Sequence, residues 1–368
     1  MKTVCEVNKC NGCMACSSIC PKQCITIKDS IESMNAEVDE SLCIDCKFCE
    51  EICPNVTMAE QKKPIESKQG WADEEIRSNS TSGGAAFAII KSFIQSGGYV
   101  ASCLFKEGDF SFDITNNEKV AKKFVGSKYV KSNPNNIYKK VQERLKTDKV
   151  LFVGLPCQVA AMKNYIKNHD NLYTIDLICH GTPSMKLLKK YFSECDYDID
   201  KLNDVTFRTK MDFGLCIDGK KISPPRVIDE YLCAFLTAID YTENCYSCQF
   251  ASTERVSDIT LGDSWGTEYK EQEKNGVSLI LIQSHKGQEM LSGSGIVLKD
   301  VELDRAISCN QQLSYPSVMT AARKRFFGLI NKGKQFKKAA FICLPKLVIK
   351  QKIKLILLKL GIISKRVN

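Results

Sequence analysis

Residues 149–184 read KVLFVGLPCQVAAMKNYIKNHDNLYTIDLICHGTPS. The apolar run Lys149 to Val153 has the length of a buried strand. Pro156 to Lys167 predicts a helix, and Leu172 to Cys179 a second strand. Strand, helix and strand in succession are the unit of parallel sheets. The pattern extends both ways: Tyr99 to Phe105 predicts a strand, Asn135 to Lys146 a helix, and Ser184 to Phe192 another helix. The expected body is a layered α/β domain, whose ligands bind beyond the carboxyl ends of its strands. Two cysteines sit at those ends, Cys157 and Cys179.

Cysteine is the one abnormal count, 20 in 368 residues with ten in the first 53. At 43% apolar, 26% charged and 8% aromatic, the rest excludes disorder, a collagen-like repeat and a small disulfide scaffold. Cys10, Cys13, Cys16 and Cys20 are spaced C-x2-C-x2-C-x3-C and followed by Pro21. Cys43, Cys46, Cys49 and Cys53 repeat the spacing, followed by Pro54. The duplication resembles the bacterial two-cluster ferredoxin, in which the fourth cysteine of each run ligates the other cluster. That resemblance implies two 4Fe-4S clusters, one on Cys10, Cys13, Cys16 and Cys53, the other on Cys43, Cys46, Cys49 and Cys20. Structural zinc sites also use C-x2-C pairs, but rarely three cysteines in successive x2 steps. Cys5 and Cys24 lack the spacing and are expected to be packing residues, with short strands in CITIKD and NAEVDE between the motifs. The polar stretch Met58 to Asp73 reads as a linker.

Cys245 and Cys248 add one C-x2-C pair. With Cys157 and Cys179 they make four thiolates, enough for a third 4Fe-4S cluster; unliganded core thiols are the alternative. Ser78 to Gly84 (SNSTSGG) opens an apolar helix, either as a plain cap or as an anion site made by free first-turn N–H groups. Six segments in order then resemble the beta subunit family of coenzyme F420-reducing hydrogenases and dehydrogenases: TSGGAAFAI, GSKYVKS, GLPCQVAAMKNYI, DLICHGTPS, NCYSCQFA and SDITLGDSWG. The resemblance runs from about Trp71 to Cys309. It implies FAD and favours the third cluster, with flavin phosphates on Ser82, Gly83 and Gly84, and Ser127 and Lys128 nearby. His180 is a candidate proton donor or a positioner of the ligand loop. Asp263 is a candidate flavin or substrate partner, or a turn residue. Trp265 is expected to be packed, and Cys103, Cys195, Cys216, Cys233, Cys309 and Cys343 to have no special role. Fold does not fix the substrate.

Net charge is +9, yet residues 305–368 hold 15 Lys and Arg and no acidic residue, leaving the remainder at −6. An acidic body with a basic tail excludes a nucleic-acid-binding domain. The N-terminus lacks an apolar signal core and no run of about 18 apolar residues occurs, so a cytoplasmic protein is expected. Pro345 to Ile363 predicts a helix with Ile349, Ile353, Ile356, Leu357 and Leu360 on one face, bordered by Lys350, Lys352, Lys354 and Lys359. Such a helix suits either an anionic membrane surface at the inner face of the cell membrane or a dock on protein.

The expected architecture is α/β: a ferredoxin-like α+β module (1–60), a linker (61–73), a flavin-binding body in two parts (74–153 and 154–312) and a basic helical tail (313–368). The expected function is an FAD- and 4Fe-4S-dependent oxidoreductase acting on a small-molecule redox substrate. A non-catalytic electron-transfer subunit is the alternative. The expected protein partner is a ferredoxin-like carrier or a neighbouring subunit.

Overall fold

In the computed structural model, which describes residues 2–363 apart from 135, 168 and 211, the body is organised by an eight-stranded sheet. Its strands run in the spatial order Val297–Asp300, Glu66–Trp71, Ser278–Ile282, Ile259–Asp263, Leu172–Leu177, Val150–Gly154, Tyr99–Lys106 and Asp109–Thr115. Only the four from Ile259–Asp263 to Tyr99–Lys106 pair in parallel. The other strands pair antiparallel, so the sheet is mixed rather than parallel throughout. Helix Ala85–Gln95 covers one face and helices Ile137–Arg144 and Pro156–Ile166 the other. Two covered faces explain why Val150–Gly154 is buried at every position.

The stretch expected as a linker contains a strand, Glu66–Trp71, in this sheet. Its polar sequence conceals the role because buried Gln69 is satisfied by side chains and a carbonyl. Gln69 accepts from Ser264 and Thr267 hydroxyls at 2.8 and 2.7 Å and donates to Asp300 O at 2.8 Å.

The N-terminal module is a three-stranded antiparallel sheet with short helices Ala15–Ile19 and Phe48–Ile52. It is seated on the body. Cys13, Ala15 and Ile52 share an apolar cluster with Val159, Met162 and Phe250. Tyr138 Oη donates to Cys13 O at 2.7 Å, Lys131 Nζ to Asn11 O at 3.1 Å, and Asn164 Nδ2 to Thr57 O at 2.7 Å.

The basic tail forms helices Ala321–Asn331, Phe336–Cys343 and Pro345–Lys359. Phe326, Phe327 and Phe336 enter a core with Tyr191 and Tyr231. Glu194 caps the second helix, accepting from Phe336 N at 2.6 Å and Lys337 N at 3.1 Å, where a carboxylate favours the helix N-terminus. The last helix buries Val348, Gln351 and Leu358, and Gln351 Oε1 accepts from Ile228 N at 3.1 Å. One face of the predicted tail helix is therefore docked on protein.

Candidate redox centres

The duplicated motif has a duplicated backbone. Gly12 and Met14 have φ of 69° and 60°, and Asp45 and Lys47, at the same places in the second run, have 52° and 65°. A left-handed residue directly before each short helix turns the loop back over its own thiols. Side chains rarely adopt such angles, so their repetition at Met14 and Lys47 marks a functional constraint. Glycine at position 12 has a second reason: a Cβ would lie 2.4 Å from Met34 Sδ.

Each loop bounds one cavity. The first is lined by Cys10, Cys13 and Cys16 with Cys53 from the other run. The second is lined by Cys43, Cys46 and Cys49 with Cys20. Among the described residues no three Cys, His, Asp or Glu side chains converge as ligands of one metal ion. The thiols line the two cavities instead. Burial, together with neighbouring thiols, pushes Cys13 and Cys16 well above the ordinary thiol range. A cationic core would be needed to hold them as thiolates.

Cys5 and Cys24, expected to be mere packing residues, line these cavities too. Cys5 lies beside Cys10 and Cys53 in the first cavity. Cys24 Sγ lies 3.4 Å from Cys20 Sγ and also feels Cys43. Neither obeys the motif spacing, so only the fold reveals them.

A third group forms where the parallel strands end. Cys157 lies at the start of helix Pro156–Ile166, Cys179 just beyond Leu172–Leu177, and Cys245 and Cys248 on the turn over them. Burial comes first in pushing up Cys157, Cys179 and Cys248, and each also feels neighbouring members of the group. As whole residues these three are only partly buried. Thr242 and Thr182 hydroxyls lie 3.7 and 3.9 Å from Cys245 Sγ. Arg255, 2% exposed, clamps both ligand segments. It donates to Phe250 O at 2.6 Å, Leu177 O at 3.0 Å and Asp176 Oδ1 at 2.8 Å.

The three groups adjoin in order. Cys157 feels Cys13, and Cys13 packs in the same apolar cluster as Cys157 and Cys248. Cys16 feels Cys49 in turn. Buried Lys131 lies between the first and third groups, felt by Cys10, Cys157 and Cys248.

Next to the third group lies a polar cluster that the sequence did not disclose. Arg208, on a small sheet of Val205–Arg208, Phe213–Ile217 and Lys220–Lys221, donates to Asp263 Oδ2 at 2.8 Å, Thr81 O at 2.5 Å and Tyr129 Oη at 3.4 Å. Burial works against its charge, but Asp263 outweighs it and Arg208 ends above its ordinary value. Trp265 and Phe213 rings stand 5.7 and 5.1 Å from the guanidinium. His180 is exposed, yet protein walls push its imidazole down, with Asp263 opposing and Arg208 assisting.

The phosphate candidates divide. Ser82 Oγ donates to Val277 O at 3.2 Å, and a Cβ on Gly83 would lie 2.5 Å from Gly70 O, so both pack against the sheet. Gly84, at φ 85°, directly precedes helix Ala85–Gln95. Lys128 Nζ donates to the carbonyls of Phe124, Val125 and Gly126 at 2.9, 3.1 and 2.9 Å, so its three donors are engaged within its own loop. The Arg208 guanidinium and the rings of Trp265 and Phe213 stand beside the loop at 81–84.

These features define an iron–sulfur redox protein. Residues 9–57 match the model of the 4Fe-4S dicluster domain, and residues 147–301 that of the C terminus of the coenzyme F420 hydrogenase/dehydrogenase beta subunit. A dicluster-like segment is thus followed by a segment similar to the C terminus of that beta subunit. It is 23% identical over 324 residues to a coenzyme F420-dependent sulfite reductase of Methanocaldococcus jannaschii, matching with 80% of its own length and about half (48%) of that protein's. A chain of the F420-reducing [NiFe] hydrogenase complex from Methanosarcina barkeri shares the fold, with a TM-score of 0.50 at 20% identity over 73% of this chain and 95% of that one.

Proposed function

We propose that the chain is an iron–sulfur flavoprotein oxidoreductase that passes electrons between a hydride-type substrate at FAD and one-electron carriers through 4Fe-4S clusters. The observation that carries this reading is the succession of neighbours from Arg208 and His180 to Cys179 and Cys157, then Cys13, Cys16 and Cys49. Flavin supplies two-electron hydride exchange and clusters pass single electrons, so a protein holding both connects the two chemistries. Cys157, Cys179, Cys245 and Cys248 would hold the third cluster. Gly84 and the Thr81–Gly83 loop, Ser127, Tyr129 and Arg208 would hold FAD, with Lys128 available once it leaves its carbonyls. His180, exposed and beside Cys179, would carry a proton there. Asp263 acts by holding Arg208. In a reducing cytosol these thiols stay free for metal.

Both similar proteins carry F420 in their names, which makes a deazaflavin the first hydride donor to test. The hydrogenase chain belongs to a complex, which favours a second reading, an electron-transfer subunit. Exposed Leu42, Ile44 and Phe48 around the second thiol group are then the contact for the partner.

Anaerobic iron, sulfide and flavin analysis tests the proposal, with about twelve irons and one flavin per chain expected. Absence of flavin after anaerobic reconstitution refutes the flavoprotein. About eight irons beside a bound flavin would reduce the third group to core thiols. Reduction of the isolated holoprotein by reduced F420, NADPH or NADH identifies an enzyme; reduction only by a protein carrier identifies the subunit.

A further inference from the structure

The last helix, Pro345–Lys359, carries apolar residues on two opposite faces. Val348, Gln351 and Leu358 are spent on the protein. At 100° per residue, Ile349, Ile353, Ile356 and Leu360 fall within about 60° of one another on the far side. They are 44%, 51%, 55% and 66% exposed. Leu357, expected on that face, is half-buried at its edge. Lys346 and Lys350 border the stripe on one side, and Lys352 and Lys359 on the other. All four are exposed, and among the described residues none is ion-paired. Lys352 lies over the ring of exposed Phe341, 5.1 Å from its centre.

We propose that this face of the docked helix is a membrane-surface anchor that lies on anionic lipid. Charge complementarity selects the occupant. No acidic residue occurs from Arg305 onward, so nothing in the tail balances the bordering lysines. The stripe is single-file aliphatic and offers no shaped pocket or paired polar groups of the kind a protein interface uses. An acyl–headgroup boundary requires neither; it takes an apolar stripe immersed a few ångströms with cations at its rim. The docked face fixes the opposite one outward, so the helix need not fold on binding.

The test uses the anaerobically purified full-length holoprotein and co-sedimentation with vesicles of phosphatidylcholine alone or with about 30% phosphatidylglycerol. Binding is expected only to the anionic vesicles, and to fall steeply between low and high salt as the charges are screened. Replacing Lys346, Lys350, Lys352 and Lys359 together by Gln should lower partitioning by about fivefold per lysine. Ile353→Ser with Ile356→Ser should also release the protein. All six positions are exposed, so an unchanged melting temperature is expected; if the serine variant unfolds, the lysine variant decides. Equal binding to neutral vesicles, no binding to anionic ones at low salt, or unchanged binding of the lysine variant overturns the proposal.

Discussion

Replacing Arg255 by Met should destabilise the body and empty the third cluster site, and the two effects should be separable. Arg255 and Asp176 form an ion pair whose side chains are 1% and 0% exposed. Asp176 Oδ2 already has no hydrogen-bond partner, and Oδ1 has only Arg255. Removing the arginine leaves a carboxylate buried and uncompensated, at a cost of about 3–5 kcal/mol. At roughly 2 °C per kcal/mol for a domain of this size, the apparent Tm should fall by about 6–10 °C. Iron–sulfur proteins tend to unfold irreversibly, so the comparison needs one scan rate for all variants. The variant also frees the Phe250 and Leu177 carbonyls, each two residues from a thiol of the third group, so iron should fall from about twelve to about eight. Adding Asp176→Leu removes the orphaned charge and should restore most of the Tm, as when buried pairs are exchanged for apolar residues. It does not restore the clamp, so the irons should stay missing. An unchanged Tm in the single variant, or full iron in the double variant, refutes the reasoning.

Cys20→Ala combined with Cys24→Ala, which removes the nearby replacement thiol, should abolish the electron paramagnetic resonance signal of the second cluster. Loss of the first cluster's signal instead would contradict the crossed arrangement. Asp229, pushed up to about 6 by burial against the Leu215 and Leu232 N–H bonds that favour its charge, should make stability fall as pH rises from about 4 through 6. Its raised folded value means the native state binds the extra proton; Asp229→Asn should flatten denaturation midpoints over that window, and an unaltered slope would exclude Asp229 as the source. Lys131→Met should lower the reduction potentials of the first and third clusters by some tens of millivolts and spare the second. A redox titration in which only the second cluster moves would remove Lys131 from the path.

The ligand spacing was legible because cluster loops are local: two x2 steps and an x3 step fix which thiols share a loop. The crossing of Cys20 and Cys53 came from resemblance, and the structure brings each to the other run's cavity. The parallel centre of the sheet was equally readable, since doubly covered strands are continuous apolar runs. Glu66–Trp71 was hidden because its buried position is satisfied by Gln69, and a polar sequence reads as linker wherever hydrogen bonds replace apolar packing. Arg208 was hidden for another reason. Nothing in VTFRT distinguishes an arginine aimed at Asp263 from a solvated one; its partners are 55 and 127 residues away in sequence. Cys5 and Cys24 show the converse, thiols whose placement is informative although their spacing is not.

The duplicated motif also shows why equal sequence need not give equal centres. Cys10, Cys13, Cys16 and Cys53 are all buried, whereas Cys20, Cys43, Cys46 and Cys49 are only partly so. Cluster reduction adds negative charge, which burial disfavours, so the inner site is harder to reduce unless a positive charge offsets the loss of solvent. The body supplies that charge. Lys131 is 7% exposed and held by Asn11 O, with its stem against the Gly12 turn and its ammonium felt by thiols of the first and third groups. A lysine of the body, Lys131, thus stands beside the inner thiol group of the ferredoxin-like module. Docking distinguishes the two halves of the repeat, one adjoining the Cys157 group and the other only partly buried.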